Sequence, residues 1–132
     1  KIVSLSEAAS IAIHGIILIA RSEVSLNVIQ ISDATGTSRH HVAKVMQRLV
    51  KENFISSQRG PSGGFLLNIP AEKITFLNIY EAIEGKIEVT KCPMEKKVCP
   101  FDKCIMDNIS SRMTLEFRDY LGKQVVGDYI KT

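Results

Sequence analysis

The sequence predicts a mainly α fold with a small β-hairpin: a winged helix-turn-helix plus a long C-terminal dimerisation helix. Three observations carry this. Two short helical patterns meet at Gly36 and Ser38. The run "FISSQRGPSGGFLLN" (54–68) follows the second of them directly. From residue 105 to 121 apolar side chains step by three or four. The chain has 132 residues, 45% hydrophobic and 23% charged, enough for one domain with a buried core and an appended helix.

The first element is "LSEAASIAIHGIILIA" (5–20), where Leu5, Ala8, Ala9, Ala12, Ile16 and Ile19 keep helical spacing. Ile11, Ile13, Ile17 and Leu18 make it apolar nearly all round, as for a helix covered on two sides. A second subunit would supply that cover; a central position in one core is the plainer account. Its apolar stretch 11–20 is too short to span a bilayer and is broken by His14. No secretory pattern stands at the start, so a reduced, cytoplasmic protein without membrane association is expected.

In "SLNVIQISDATGTSRHHVAKVMQRLVKENFI" (25–55), Val28, Ile29 and Ile31 mark a short helix. Gly36 ends it, because glycine accepts the positive φ of a tight turn. Ser38 is a good N-cap for the next helix, on which Val42, Val45, Met46, Leu49 and Val50 form the buried stripe. Arg39, His40, His41, Lys44, Gln47 and Arg48 take the remaining faces. A short helix, a glycine turn and a basic amphipathic helix make a helix-turn-helix pattern, although helical hairpins without DNA are common.

Two β-compatible runs, around 54–57 and 65–67, flank the turn-rich "RGPSGG" and predict a wing. Arg59 stands at its tip among Gly60, Ser62 and Gly63, small residues that let backbone approach a partner closely. It would suit a minor groove; a solvated arginine on a plain surface hairpin is the bland alternative. Formal net charge is only +3, but residues 38–60 carry five Lys or Arg against Glu52, a local +4. Such a patch is the footprint expected of a phosphate-binding face, or else merely a solvated one. Within it, Ser38, Arg39, His40 and His41 would read bases and Lys44, Arg48 and Lys51 would meet phosphates; for one of the two adjacent histidines simple exposure is the plainer account.

Residues 70–86 hold another helix, with Phe76, Leu77, Ile79, Tyr80 and Ile83 inward and Gly85 as terminator. The C-terminal pattern places Met106, Ile109, Met113, Phe117 and Tyr120 or Leu121 on one stripe. A protruding helix with such a stripe commonly buries it against a copy of itself, giving a homodimer; packing back on its own chain is the alternative. The expected organisation is therefore a DNA-binding unit over 1–86, a cysteine-rich loop over 87–104 and a dimerisation helix and tail over 105–132.

All three cysteines, Cys92, Cys99 and Cys104, lie in "KCPMEKKVCPFDKC" (91–104), as C-x6-C-x4-C. Gathered thiolates repel unless a cation compensates, so the trio points to a metal centre. An iron–sulfur cluster, a zinc ion and a thiol switch all fit, the absence of paired C-x2-C counting against zinc. A fourth ligand would come from Asp107, three residues past Cys104 and on the same helix face, or from Glu7 or His14 on the first helix. For Asp107 the competing account is an ordinary acid near a helix N-terminus. No nucleophile–base pair or phosphate loop is present, so an enzyme is not expected.

The order of these elements, with "SSQRGPSGGFLL", "ITFLNIYEAIEG" and the three-cysteine loop, resembles the Rrf-two family of winged-helix transcriptional regulators, of the IscR-like and NsrR-like, iron–sulfur-binding kind. The resemblance runs over nearly the whole chain, and the wing is its most specific piece. It implies a homodimer on a double-stranded DNA operator, with a cluster held by Cys92, Cys99 and Cys104, [2Fe–2S] favoured over [4Fe–4S]. The IscR-like histidine three residues beyond the last cysteine is Asp107 here, and the NsrR-like aspartate of the first helix falls near Ser10, with Glu7 close by. A zinc-stabilised or thiol-redox regulator, or a regulatory subunit without DNA function, are the alternatives.

Overall fold

The computed structural model describes residues 4–89, 100, 105 and 108–130. Its elements in order are α1 (Glu7–Arg21), α2 (Val28–Thr35), α3 (Arg39–Lys51), β1 (Ile55–Gln58), β2 (Gly64–Leu67), a 3-10 turn at Ala71–Lys73, α4 (Phe76–Glu84), α5 (Ile109–Lys123) and a 3-10 turn at Val126–Tyr129. The mainly helical architecture with one hairpin is the expected one.

α1 lies at the centre. It packs against α2, α3, α4, β2 and the last 3-10 turn of its own chain. Ala9, Ile11, Ala12, Ile13, Ile16 and Ile19 are all buried and Ile17 and Leu18 half-buried, so most of its apolar surface is covered within its own chain. Ser6 caps it, its hydroxyl accepting the Ala9 N–H at 3.0 Å and donating to the Glu84 carboxylate.

α2 starts at a capping box between Asn27 and Gln30 and ends at Gly36, whose φ of 71° is the left-handed conformation read from the sequence. Ser38 caps α3 by accepting the His41 N–H at 3.1 Å. Val42, Val45, Met46 and Leu49 are buried, with Val50 half-buried at the edge of the stripe.

The wing is antiparallel, Ile55 opposite Leu67 and Gln58 opposite Gly64. Leu26, in the α1–α2 connection, adds a bridge to Phe65 on the other side, with backbone bonds of 2.7 and 3.3 Å. The approach is so close that a Cβ on Gly64 would lie 2.6 Å from the Leu26 carbonyl.

The helix expected over 70–86 begins only at Phe76. Pro70 and the following 3-10 turn precede it, and Thr75 opens it with a capping box to Asn78. Gly85 ends it as expected.

α5 packs on α4, with Ser110, Thr114 and Leu121 buried; Phe117 meets Tyr80 edge-on at 5.2 Å. The apolar arc of α5 is wider than this contact, so Met113 is 46% and Tyr120 56% exposed. Residues 124–126 then run antiparallel to 74–76: the Phe76 N–H donates to the Gln124 carbonyl and the Val126 N–H to the Ile74 carbonyl, both at 2.9 Å. Tyr129 stacks obliquely on Phe76, and Arg21 holds the Tyr129 carbonyl at 2.8 Å.

Candidate nucleic-acid interface

The inward stripe of α3 fixes what faces out. At 100° per residue, the line opposite Val42, Val45, Met46 and Leu49 passes through His40, Lys44, Gln47 and Lys51. All four are exposed. This crest carries two lysines with no intrachain ion pair among the described residues, alternating with two side chains able to bond base edges. Arg39, exposed, begins the helix beside it. Gln47 was legible only as one of several polar positions. Its place in the crest, seven residues past His40, follows once the inward stripe is fixed.

His41 and Arg48, also seven apart, share one flank of α3, and both are engaged within the chain. His41 Nδ1 lies 2.7 Å from Glu7 Oε1 at the start of α1. Arg48 donates from Nε to the Ala82 carbonyl in the last turn of α4 at 3.0 Å, and its guanidinium lies 3.4 Å from Glu52. A cation on the last carbonyls of a helix completes bonds the helix itself leaves open. Two side chains expected to face DNA thus bind α3 to α1 and to α4.

The wing tip stands clear of the core. Arg59, Gly60 and Ser62 are exposed and Gly63 half-buried. Gly60 has a φ of 107°, and the Gly63 N–H closes the turn on its carbonyl at 2.9 Å. Ser25 donates to the Ser62 carbonyl at 2.7 Å, so the α1–α2 connection braces the tip as well as the strand. Ser25 and Leu26 were not identified from sequence, which holds no short-range signal for a bridge across forty residues.

Cys92, Cys99, Cys104 and Asp107 lie outside the described residues. Three thiols in thirteen residues are a donor set suited to an iron–sulfur cluster and also to zinc. Among the described residues no group of three or more His, Cys, Asp or Glu side chains comes together. Of the candidates for a fourth ligand, Glu7 is occupied by His41, and His14 accepts or donates through Nδ1 at its own helix, 2.7 Å from the Ser10 carbonyl. No helix among the described residues is long and apolar enough to cross a membrane.

The chain's likeness to known proteins agrees with this geometry. The family model Rrf2, described as an iron-dependent transcriptional regulator, matches residues 5–132. The HTH-type transcriptional regulator IscR of Xenorhabdus nematophila is 26% identical over 101 residues, 76% of this chain and 62% of that protein. The chain therefore spans less than two thirds of that relative's length. Among solved structures, CymR (YrzC), the global cysteine regulator of B. subtilis, aligns with a TM-score of 0.79 at 20% identity, over 97% of this chain and 96% of that one. IscR of T. potens aligns with a TM-score of 0.76 at 18% identity, over 98% and 87% respectively. Those two likenesses are of fold; the family model, reaching from Leu5 to the last residue, establishes kinship. The chain belongs to the Rrf2 family of transcriptional regulators, whose members are not enzymes.

Proposed function

We propose that this chain is a homodimeric, cytoplasmic DNA-binding regulator whose grip on a double-stranded operator is controlled by an iron–sulfur cluster on Cys92, Cys99 and Cys104. The observation that supports it best is the exposed crest His40–Lys44–Gln47–Lys51 beside a wing with Arg59 at its tip. In the dimer, the two α3 helices would enter successive major grooves and the two wings the flanking minor grooves. Lys44 and Lys51 supply phosphate contacts and salt dependence. Arg39, His40, His41 and Gln47 face the bases, with Ser38 at the helix entrance. Arg48 is assigned to holding α3 on α4.

The half-exposed apolar arc of α5, with Met113 and Tyr120, supports pairing with a second copy. For the fourth ligand Asp107 is preferred to Glu7, whose carboxylate already has a partner. A bound cluster would supply a redox- and ligand-sensitive charge in the segment between α4 and α5. The chain's own part is to carry a change there along α4 to α3, through the Arg48–Ala82 bond. A coupling of about 1–3 kcal/mol would alter operator affinity about 5- to 150-fold.

The test is anaerobic purification with iron, sulfide and visible-absorbance analysis, followed by salt-dependent binding to DNA selected from a random pool. The expected result is a coloured, iron-containing dimer whose affinity changes when the three cysteines become serine. Zinc alone, or a colourless protein responding only to oxidants, would instead select the zinc or thiol-redox reading. The second of these fits a fold shared with a regulator of cysteine. No DNA binding at all would leave a regulatory subunit.

A further inference from the structure

His41 sits in the first turn of α3, the part of a recognition helix that meets base edges. Its side chain is 36% exposed, and Nδ1 is 2.7 Å from Glu7 Oε1. A carboxylate only accepts hydrogen bonds, so Nδ1 carries the proton and donates. In the neutral ring the other nitrogen, Nε2, is then an acceptor. A histidine without such a partner takes either tautomer and presents either a donor or an acceptor.

Glu7 is well placed to impose this choice because the backbone just before it is fastened twice. Ser6 before it caps α1 and donates to Glu84, and two residues earlier the Ser4 carbonyl accepts the Tyr80 hydroxyl at 2.9 Å. At the other end of the pair, His41 belongs to a helix fixed by the Ser38 cap and by Arg48 on Ala82. The carboxylate is 66% exposed, so the pair adds little to stability; what it fixes is direction. The major groove offers a ring acceptor only two partners of the required kind, the amino groups of adenine N6 and cytosine N4.

We propose that Glu7 is a positioning residue for His41, holding the ring so that Nε2 accepts a base amino group and the operator carries adenine or cytosine at one position of each half-site. This rests on the DNA-binding reading above and not on the identity of any metal.

The experiment selects binding sequences from a pool of randomised DNA duplexes with the full chain, as wild type, His41→Ala, Glu7→Ala, Glu7→Gln and the Glu7→Ala/His41→Ala double variant. The loss of one such bond amounts to about fivefold in preference. His41→Ala should lose that preference at a single position per half-site. Glu7→Ala should lose most of it at the same position, and the double variant no more than His41→Ala alone. Glu7→Gln, whose amide both donates and accepts, should widen the choice there to include guanine or thymine. Melting temperatures and the salt dependence of binding should stay near wild type throughout. An unchanged motif from His41→Ala overturns the proposal, as does a Glu7→Ala protein that weakens all sequences equally or adds to His41→Ala. A wild type that enriches no sequence overturns the DNA-binding reading and this inference together, whereas a clear wild-type motif indifferent to both residues overturns the inference alone.

Discussion

Arg48 and Lys51 lie on one helix, three residues apart and with the same charge, yet alanine at the two positions should do different things. Arg48 makes a 3.0 Å bond to the Ala82 carbonyl. Its contact with Glu52 is exposed on both sides, 49% and 40%, and contributes little. Removing the guanidinium should therefore cost about 1 kcal/mol, the net value of one partly solvated hydrogen bond. For a domain of this size that is a fall of roughly 3–5 °C in Tm. Lys51 is exposed, with no intrachain hydrogen bond or ion pair among the described residues, so Lys51→Ala should change stability by less than about 0.5 kcal/mol. On DNA the order reverses. Deleting a cation that neutralises one phosphate reduces the slope of log affinity against log salt by about 0.9, hence about 1.8 for a dimer. Between 50 and 200 mM salt, the affinity of Lys51→Ala should thus fall by a factor about 12-fold smaller than that of wild type. Arg48→Ala should keep the wild-type slope. Fluorescence anisotropy across a salt series, beside calorimetry, measures both. A reduced slope and an unchanged Tm for Arg48→Ala would refute the reasoning, because the guanidinium would then have left Ala82 for a phosphate.

Gly64→Ala puts a Cβ 2.6 Å from the backbone of Leu26, which cannot give way as a side chain would; a loss of about 1–3 kcal/mol and a weakened wing are expected by thermal denaturation. Burial, and secondarily the Glu84 carboxylate, hold the Tyr80 phenol above its ordinary 10.0. A folded-state value above the unfolded one gives stability that is complete below pH 10 and lost as pH rises through the folded value. Tyr80→Phe should therefore flatten the alkaline side of the stability curve, while costing about 1 kcal/mol at neutral pH for the bond to Ser4. On the proposed pairing through α5, Met113→Glu sets a charge in its exposed arc and should shift sedimentation from dimer to monomer without lowering helix content; an undisturbed dimer would place the interface elsewhere.

How far the sequence could be read depended on the range of the interaction. The inner face of α3, the Ser38 cap and the Gly36 turn follow from spacing and from local backbone chemistry, and they stand where expected. The expected start of α4 falls six residues early because "PAEK" is compatible with helix, and only Thr75 bonding to Asn78 shows where the helix begins. On α5 the apolar spacing gave one broad arc. Which half turns inward is shown only by the burial of Ser110, Thr114 and Leu121 and by Phe117 meeting Tyr80; no apolar periodicity carries the two polar positions. The Glu7–His41 and Arg48–Ala82 bonds each join residues thirty-four apart. Nothing near either partner announces the other, so side chains that look unattached in one dimension are tethered within the chain in three. The cysteine trio, proposed above to hold a cluster, is the converse: its three thiols within thirteen residues are conspicuous in sequence alone.

Twenty-four residues, from Gly85 to Asn108, separate α4 from α5. The two helices that bound them lie side by side, and strand-like pairing of 74–76 with 124–126 ties the far ends of the same pair. The ends of the insertion are thus brought together by contacts that do not involve it. Closure entropy rises only with the logarithm of length, about 0.6 kcal/mol per doubling. Residues can be added, removed or respaced between the thiols with little effect on whether the rest folds. A segment anchored in this way lets the number and spacing of its thiols change without disturbing α3 or the wing.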